Sequence, residues 1–124
     1  MIRLLLVDDE PAVRQGLRMR LALEPDIEIV GEADDGAAAL KQVERYKPEV
    51  VIMDIMMPGL DGIETTTRLQ ECCPGTAVVI LTLHDRPETR ERARVAGACC
   101  LVGKQEEPSA LLSAIRAAAT RLSA

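Results

Sequence analysis

The 124-residue sequence has almost no aromatic side chains, with one Tyr and neither Phe nor Trp. Its core must therefore be aliphatic, and a function that stacks bases or a flavin ring on aromatic faces has almost nothing to use. Positive charge is also in short supply, because 15 Lys and Arg face 20 Asp and Glu, for a formal charge of -5. Nucleic acid should therefore be repelled overall.

Long apolar runs are missing as well. No run approaches the ~20 residues that cross a membrane. The N-terminal sequence MIRLLLVDDE has too short an apolar stretch, and no small-residue cleavage site, for a signal peptide. We therefore expect a cytoplasmic protein.

The four cysteines stand as two adjacent pairs, at 72–73 and 99–100. Zinc ribbons space their ligands as C-x2-C, because immediate neighbours in sequence bind one metal ion poorly. We expect small apolar packing at these positions, in preference to a metal site or disulfides.

The remaining composition is that of a globular protein, with 48% hydrophobic and 28% charged residues, which argues against disorder. The length suits one domain with one core, and no linker or low-complexity tract interrupts it. We expect a single domain over residues 1–124, with any C-terminal output domain lying outside this sequence.

Five short apolar runs alternate with five segments of helical spacing. The runs are 2–7, 27–33, 50–53, 77–81 and 99–102, and the helical segments are 11–24, 35–46, 60–72, 86–96 and 107–123. This alternation predicts a doubly wound α/β domain with a parallel sheet. Three runs, 2–7, 50–53 and 77–81, are continuously apolar and should lie inside the sheet, whereas 27–33 begins by alternating and should form an edge.

Chemistry-bearing side chains follow the ends of these runs. They are Asp8 and Asp9 after the first run, Asp54 after the third, Thr82 after the fourth and Lys104 after the fifth. In an open parallel sheet, sites form outside the carboxyl ends of the strands, so these side chains should converge. The edge run delivers Glu32 and two aspartates, which we expect to lie away from this group.

Three converging carboxylates need a cation, because two charges 4 Å apart repel by about 4 kcal/mol at an effective dielectric of 20. Oxygen ligands with room for water suit Mg2+. Mg2+ and Lys104 together would bring the site near neutrality, so a phosphoryl group taken up by a carboxylate would be stabilised. Asp54, at the end of the central strand, is the natural acceptor, and Asp8 and Asp9 are better placed to hold the metal.

Four motifs carry a resemblance to a known family: LLLVDDEPAVR, KPEVVIMDIMMPGLDGIE, VVILTLHD and GACCLVGK. In order and spacing they resemble the receiver domain of two-component response regulators, over residues 1–123. The resemblance implies a flavodoxin-like (βα)5 sheet with strand order 2-1-3-4-5. It is nearest to the subfamily that carries a C-terminal LuxR-type helix-turn-helix, which implies control of transcription through that separate domain.

The resemblance also implies roles for single residues. Asp54 would accept a phosphoryl group from a sensor histidine kinase, Thr82 would hydrogen-bond that group and Lys104 would pair with it. Asp9 and Asp54 would bind Mg2+ directly, Asp8 through water, and Met56 through its backbone carbonyl. The Pro58-Gly59 pair would shape the loop after the acceptor. Apart from the resemblance, the small apolar residues of the last helix offer a surface for a partner, and we expect that a homodimer would form through the last two helices.

Two positions depart from the family pattern. Leu101 stands where members generally carry Tyr or Phe, so the usual aromatic readout is replaced by an aliphatic side chain that we expect to pack in the core. Gln105 stands where many members have Pro, which leaves that loop less constrained. Nearby, His84 is expected to govern access of water to the phosphoryl group. The helical segment 86–96 has few large apolar residues and four arginines, which makes it a candidate moving element.

Other classes of protein remain as alternatives. A phosphatase of the haloacid-dehalogenase type would need an Asp where Met56 stands, and a flavin module would need aromatics and a hydroxyl-rich phosphate loop. A phosphorylation-independent scaffold of the same fold is the main alternative, because Leu101 removes the aromatic readout.

Overall fold

The computed structural model describes residues 1–123, and side chains as far as Thr120. The strands are β1 Ile2–Val7, β2 Ile27–Ala33, β3 Val50–Met53, β4 Ala77–Thr82 and β5 Cys100–Gly103. The helices are α1 Pro11–Leu21, α2 Gly36–Tyr46, α3 Gly62–Cys72, α4 Pro87–Ala96 and α5 Pro108–Ser123. All paired strands are parallel, in the order β2-β1-β3-β4-β5. The predicted doubly wound flavodoxin-like sheet, with 27–33 at an edge, is confirmed.

Two aliphatic cores cover the two faces of the sheet. The face under α2, α3 and α4 receives Leu5 and Val7 from β1, whereas the face under α1 and α5 receives Leu4 and Leu6. Successive side chains of a strand point to opposite faces, so a strand that is covered on both sides has to be apolar throughout. This explains the continuous apolar runs in β1, β3 and β4.

Two of the predicted helical segments, 35–46 and 60–72, contain near their start the residue whose side chain caps the helix. Asp35 caps α2, with its carboxylate accepting from the N–H of Ala38 at 2.7 Å. Asp61 caps α3 in the same way, accepting from the N–H of Glu64 at 2.8 Å, so α3 begins two residues later than predicted. Such caps satisfy N–H groups that have no partner within the helix.

Other predicted boundaries were wrong by one to three residues. Helix α1 ends at Leu21 and not at residue 24, because Glu24 precedes Pro25 and the residue before a proline is driven out of helical geometry. Strand β4 continues through Thr82, because Thr82 pairs in register with Gly103, and β5 begins and ends one residue later than predicted. The shift brings Thr82 into the sheet itself.

Three of the four cysteines pack as predicted, since Cys73, Cys99 and Cys100 lie partly buried against the two cores. The prediction was wrong for Cys72, which is exposed at the last position of α3. Within the described residues, no helix is both long enough and apolar enough to span a membrane.

Candidate functional site

The loop after β1 carries one buried and one exposed carboxylate. Asp8 is 2% exposed, and its backbone N–H donates to the carbonyl of Ala33 at 3.1 Å. One carboxylate oxygen accepts from the N–H of Glu10 at 2.9 Å, and the other accepts from Nζ of Lys104 at 3.0 Å. Asp9 is exposed. The loop therefore fixes Asp8 and leaves Asp9 open to solvent.

Asp54 follows β3 beside this loop, and its backbone N–H donates to the carbonyl of Val7 at 2.9 Å. Its side chain is buried, with 5% of the residue exposed. Burial raises the pKa of Asp54 from 3.8 to about 6, and the charge of Asp8 adds to the rise. The ammonium of Lys104 and the N–H of Met56 lower this pKa, but by less. Asp54 is thus a carboxylate held in an unfavourable charged state.

Lys104 joins the two buried carboxylates. Its Nζ lies 3.0 Å from Oδ2 of Asp8 and 3.6 Å from Oδ1 of Asp54. Burial works to lower the pKa of Lys104, but the hydrogen bond to Asp8 and the charge of Asp54 outweigh it, so the pKa lies above its ordinary value. The backbone N–H of Lys104 donates to the carbonyl of Thr82 at 2.7 Å. The lysine is therefore anchored at both ends, beside β4 and between the acids.

Thr82 is the last residue of β4 and is fully buried. Its hydroxyl oxygen accepts from the backbone N–H of His84 at 3.0 Å. A hydroxyl can accept and donate at the same time, so its hydrogen can still be given to an oxygen at this edge of the sheet. The predicted hydroxyl therefore lies at the carboxyl ends of the strands, next to the backbone segment that carries Lys104.

Carboxylate oxygens of Asp8, Asp9 and Glu10 lie within 4.8 Å of one another, and among the described residues they form a group that could hold a metal ion. Oxygen donors without sulfur or nitrogen suit Mg2+. Glu10 was not among the predicted ligands, whereas Asp54 and the carbonyl of Met56 were. The prediction for these two rests on the family resemblance.

A brace that the sequence did not reveal lies behind Asp8. A guanidinium nitrogen of Arg14 donates to the Asp8 carbonyl at 2.5 Å, and its Nε donates to Glu32 at 3.2 Å. Arg18 also donates to Glu32, at 2.6 Å and 2.8 Å. Glu32, which was expected to lie away from the group, is thus connected to Asp8 through one side chain. Its charge offsets that of Arg14 near the acidic loop.

Two glycines shape the loop between Asp54 and α3. Gly59 has φ +75°, a left-handed conformation that glycine adopts without cost, in agreement with its predicted role in the turn. At Gly62 a Cβ would lie 2.0 Å from the carbonyl oxygen of Asp54. Only glycine therefore allows the first residue of α3 to approach the acceptor strand this closely. The MPGLDG motif contains this signal, but the reason for it is tertiary.

The rim of the site is formed by exposed side chains, among them Met56, Leu83 and His84. Leu101 lies in the core, as predicted. The side chain of Gln105 donates to the carbonyl of Leu83 at 3.4 Å, so it ties its loop to the one after β4. This weak bond supplies some of the constraint that a proline would give.

Comparison with known proteins agrees with the geometry. The family model described as the response regulator receiver domain matches residues 4–116. The chain is 34% identical over 118 residues to the transcriptional regulatory protein DegU of Brevibacillus brevis, covering 95% of this chain and 50% of that protein. It is 34% identical over 116 residues to the nitrate/nitrite response regulator protein NarL of Escherichia coli (strain K12), covering 94% and 54%. The chain thus spans about half the length of these relatives.

Solved structures show the same architecture. A LuxR-family two-component response regulator from Aurantimonas sp. SI85-9A1 superimposes with a TM-score of 0.93 at 33% identity, over 97% of this chain and 86% of that one. A LuxR-family DNA-binding response regulator from Staphylococcus aureus gives a TM-score of 0.89 at 31% identity, over 96% and 99%. The likeness covers nearly the whole chain.

Proposed function

Because this chain belongs to the response regulator receiver domain family, we propose that Asp54 is its phosphoacceptor and that phosphorylation there switches the domain between two conformations. The family assignment makes the chain a signalling switch rather than an enzyme in the usual sense. The observation that supports Asp54 most directly is the ammonium of Lys104, which lies between Asp8 and Asp54 at the carboxyl edge of the sheet.

The transfer follows from the chemistry of the site. A carboxylate oxygen of Asp54 attacks the phosphorus of a phosphohistidine, the P–N bond breaks, and the imidazole leaves as an acyl phosphate forms. Lys104 pairs with the added negative charge, and the hydroxyl of Thr82 donates to a phosphoryl oxygen. Positioning and charge stabilisation account for most of the catalysis in such transfers. By the same contacts the domain assists its own phosphorylation and dephosphorylation.

The oxygen donors fit Mg2+, and we assign Asp8, Asp9, Asp54 and the backbone carbonyl of Met56 to hold it. When bound, the ion would neutralise the acids and withdraw charge from the phosphoryl oxygens. The brace of Arg14 and Glu32 holds the backbone of Asp8 in place for this purpose.

Receiver domains act with histidine kinases and phosphotransfer proteins, and we take a sensor histidine kinase as the donor for this chain. The similarity to DegU and NarL favours control of transcription through a separate DNA-binding domain. A homodimer through α4 and α5, and a cytoplasmic location, remain predictions. The main alternative is a scaffold that works without phosphorylation.

Incubation with Mg2+ and acetyl phosphate tests the proposal without the kinase. Intact mass spectrometry should show one added phosphoryl group on the native chain and none on the Asp54→Asn variant. Asp61→Asn is the matched control, because Asp61 lies in the same loop and Asn caps a helix about as well as Asp. Addition that persists in Asp54→Asn would show that the acceptor is wrong.

The Lys104→Ala variant should lose most of the phosphorylation rate, since the ammonium that receives the new charge is gone.

Hydrogen exchange, compared with and without phosphorylation, separates the switch from the scaffold. If phosphorylation leaves hydrogen exchange unchanged throughout the domain, the chain is a scaffold and the switch is excluded.

A further inference from the structure

The two cysteines at the end of α3 lie with their sulfur atoms in contact. Sγ of Cys72 is 3.0 Å from Sγ of Cys73. Neighbouring residues inside a helix do not face each other, so this contact depends on how the helix ends. Cys73 has φ −139° and ψ 62°, outside helical geometry, because Pro74 follows it and disfavours a helical conformation. The bend turns the two thiols together.

The surroundings give the two sulfurs different access. Cys72 is exposed and Cys73 is partly buried, at a shallow pocket of about 350 Å3 whose lining includes Glu44 and Lys47. Burial, followed by the hydrogen bond with Cys72, raises the pKa of Cys73 to about 11. Cys73 therefore keeps its proton at neutral pH, and Cys72 is the sulfur that a dissolved reagent meets first.

We propose that Cys72 and Cys73 are a vicinal dithiol that hydroperoxides oxidise reversibly to a disulfide. The sulfur of Cys72 attacks hydrogen peroxide, the O–O bond breaks, and a sulfenic acid forms with release of water. The thiol of Cys73 then displaces the hydroxyl group, forming the S–S bond and a second water. Two thiols lose two electrons and two protons, and one peroxide takes them up.

The resulting disulfide would be easily reduced. The peptide between the two cysteines is trans, which sets their Cα atoms about 3.8 Å apart, below the range of about 4.4–6.8 Å that ordinary disulfides span. A strained and exposed disulfide is labile. The pair thus suits a reversible modification rather than a structural cross-link. It lies at the end of α3, before the first residue of β4, whereas Asp54 lies at the carboxyl end of β3. It does not depend on the phosphorylation proposal.

Trypsin separates the two cysteine pairs, which makes the test direct. Residues 69–90 form one tryptic peptide with Cys72 and Cys73 as its cysteines, because Pro87 blocks cleavage after Arg86, whereas Cys99 and Cys100 fall in peptide 95–104. After treatment of the full chain with hydrogen peroxide, the mass of peptide 69–90 should fall by two hydrogens, and its cysteines should no longer be alkylated by iodoacetamide. Dithiothreitol should restore both the original mass and the alkylation. A Cys99→Ser/Cys100→Ser variant should behave in the same way.

Single variants assign the order of events. Cys73→Ser should stop at a sulfenic acid on Cys72 that dimedone captures, and Cys72→Ser should react much more slowly. The proposal is overturned if peptide 69–90 remains open to alkylation, if it proceeds to sulfinic acid without a disulfide, or if Cys72 only links two chains.

Discussion

Replacing Asp54 with Asn should stabilise the metal-free domain, although it removes the proposed acceptor. The pKa of Asp54 is raised from 3.8 to about 6 by burial and by the nearby charge of Asp8. The unfolded chain therefore ionises this carboxyl more easily than the folded one, which costs stability above pH 6. At about 1.4 kcal/mol for each pH unit, the difference amounts to about 3 kcal/mol. A neutral Asn of the same shape avoids it.

The sign of the pH dependence follows from this difference. The destabilisation is complete above about pH 6, and it declines as the pH falls toward 3.8, because the folded state takes up the proton first. The stability advantage of Asp54→Asn should thus shrink from about 3 kcal/mol at about pH 7 to about half of that at about pH 5. Groups that do not interact with Asp54 titrate alike in both proteins and cancel in the comparison.

Urea unfolding with a chelator present, at several values between about pH 5 and about pH 8, measures this difference. Asp34→Asn removes an exposed carboxylate near the same end of the sheet and controls for the loss of one negative charge. Added Mg2+ should stabilise the native chain and narrow the gap. Equal stability of Asp54→Asn and the native chain across this range would refute the burial argument.

Three further outcomes follow from single contacts. Arg14→Ala should weaken Mg2+ binding about tenfold or more. Arg20→Ala, which removes an ion pair between α1 and Glu24 in the following loop, should leave it unchanged. The rise in melting temperature on addition of Mg2+ measures both affinities, and equal affinities for the two variants would exclude the brace. Gly62→Ala should cost about 1–3 kcal/mol of stability, because the new methyl group would lie 2.0 Å from the carbonyl oxygen of Asp54. Gly16→Ala, where a Cβ would meet nothing within 4 Å, should gain about 1 kcal/mol. Urea unfolding measures both changes, and a Gly62→Ala variant as stable as the native chain would contradict the close approach. Backbone amides of α4 should exchange hydrogen faster than those of α3, because α4 buries only small side chains, Ala93 and Ala96, whereas α3 buries larger ones such as Leu69. Hydrogen-exchange mass spectrometry measures this, and equal protection of the two helices would contradict it.

The sheet could be predicted because its signals are local and repeated. Apolar runs that are buried on both faces read differently from the alternating edge strand, and the residues after each strand converge because parallel strands end together. This reasoning placed Asp8, Asp54, Thr82 and Lys104 at one edge of the sheet, where the structure has them. The helix ends were less certain, since caps and prolines shift them by one to three residues.

What could not be predicted depends on which side chains reach each other across elements. Arg14 and Glu32 stand on α1 and β2, 18 residues apart, and no spacing rule marks them as partners. Similarly, the need for glycine at position 62 comes from the carbonyl of Asp54, which only the packed fold brings close. The contact between the thiols of Cys72 and Cys73 was not predicted either, because it depends on the local backbone bend at Cys73, where Pro74 ends the helix.

Because Leu101 stands at the position that is usually aromatic, a route from the site to the surface has to use contacts other than an aromatic ring. Leu101 is 8% exposed and belongs to the same core as Ala93 of α4, so it offers neither a ring nor a hydroxyl to move. The Thr82 hydroxyl, by contrast, holds the loop after β4 by accepting from the N–H of His84. The hydroxyl can accept from His84 and donate to a phosphoryl oxygen at once, but a movement of the Thr82 side chain toward a phosphoryl group on Asp54 would lengthen the bond from His84. That loop leads directly into α4, and α4 buries little surface against the sheet. We therefore infer that the signal leaves the site through α4. Unchanged hydrogen exchange of the α4 backbone amides after phosphorylation would refute this route.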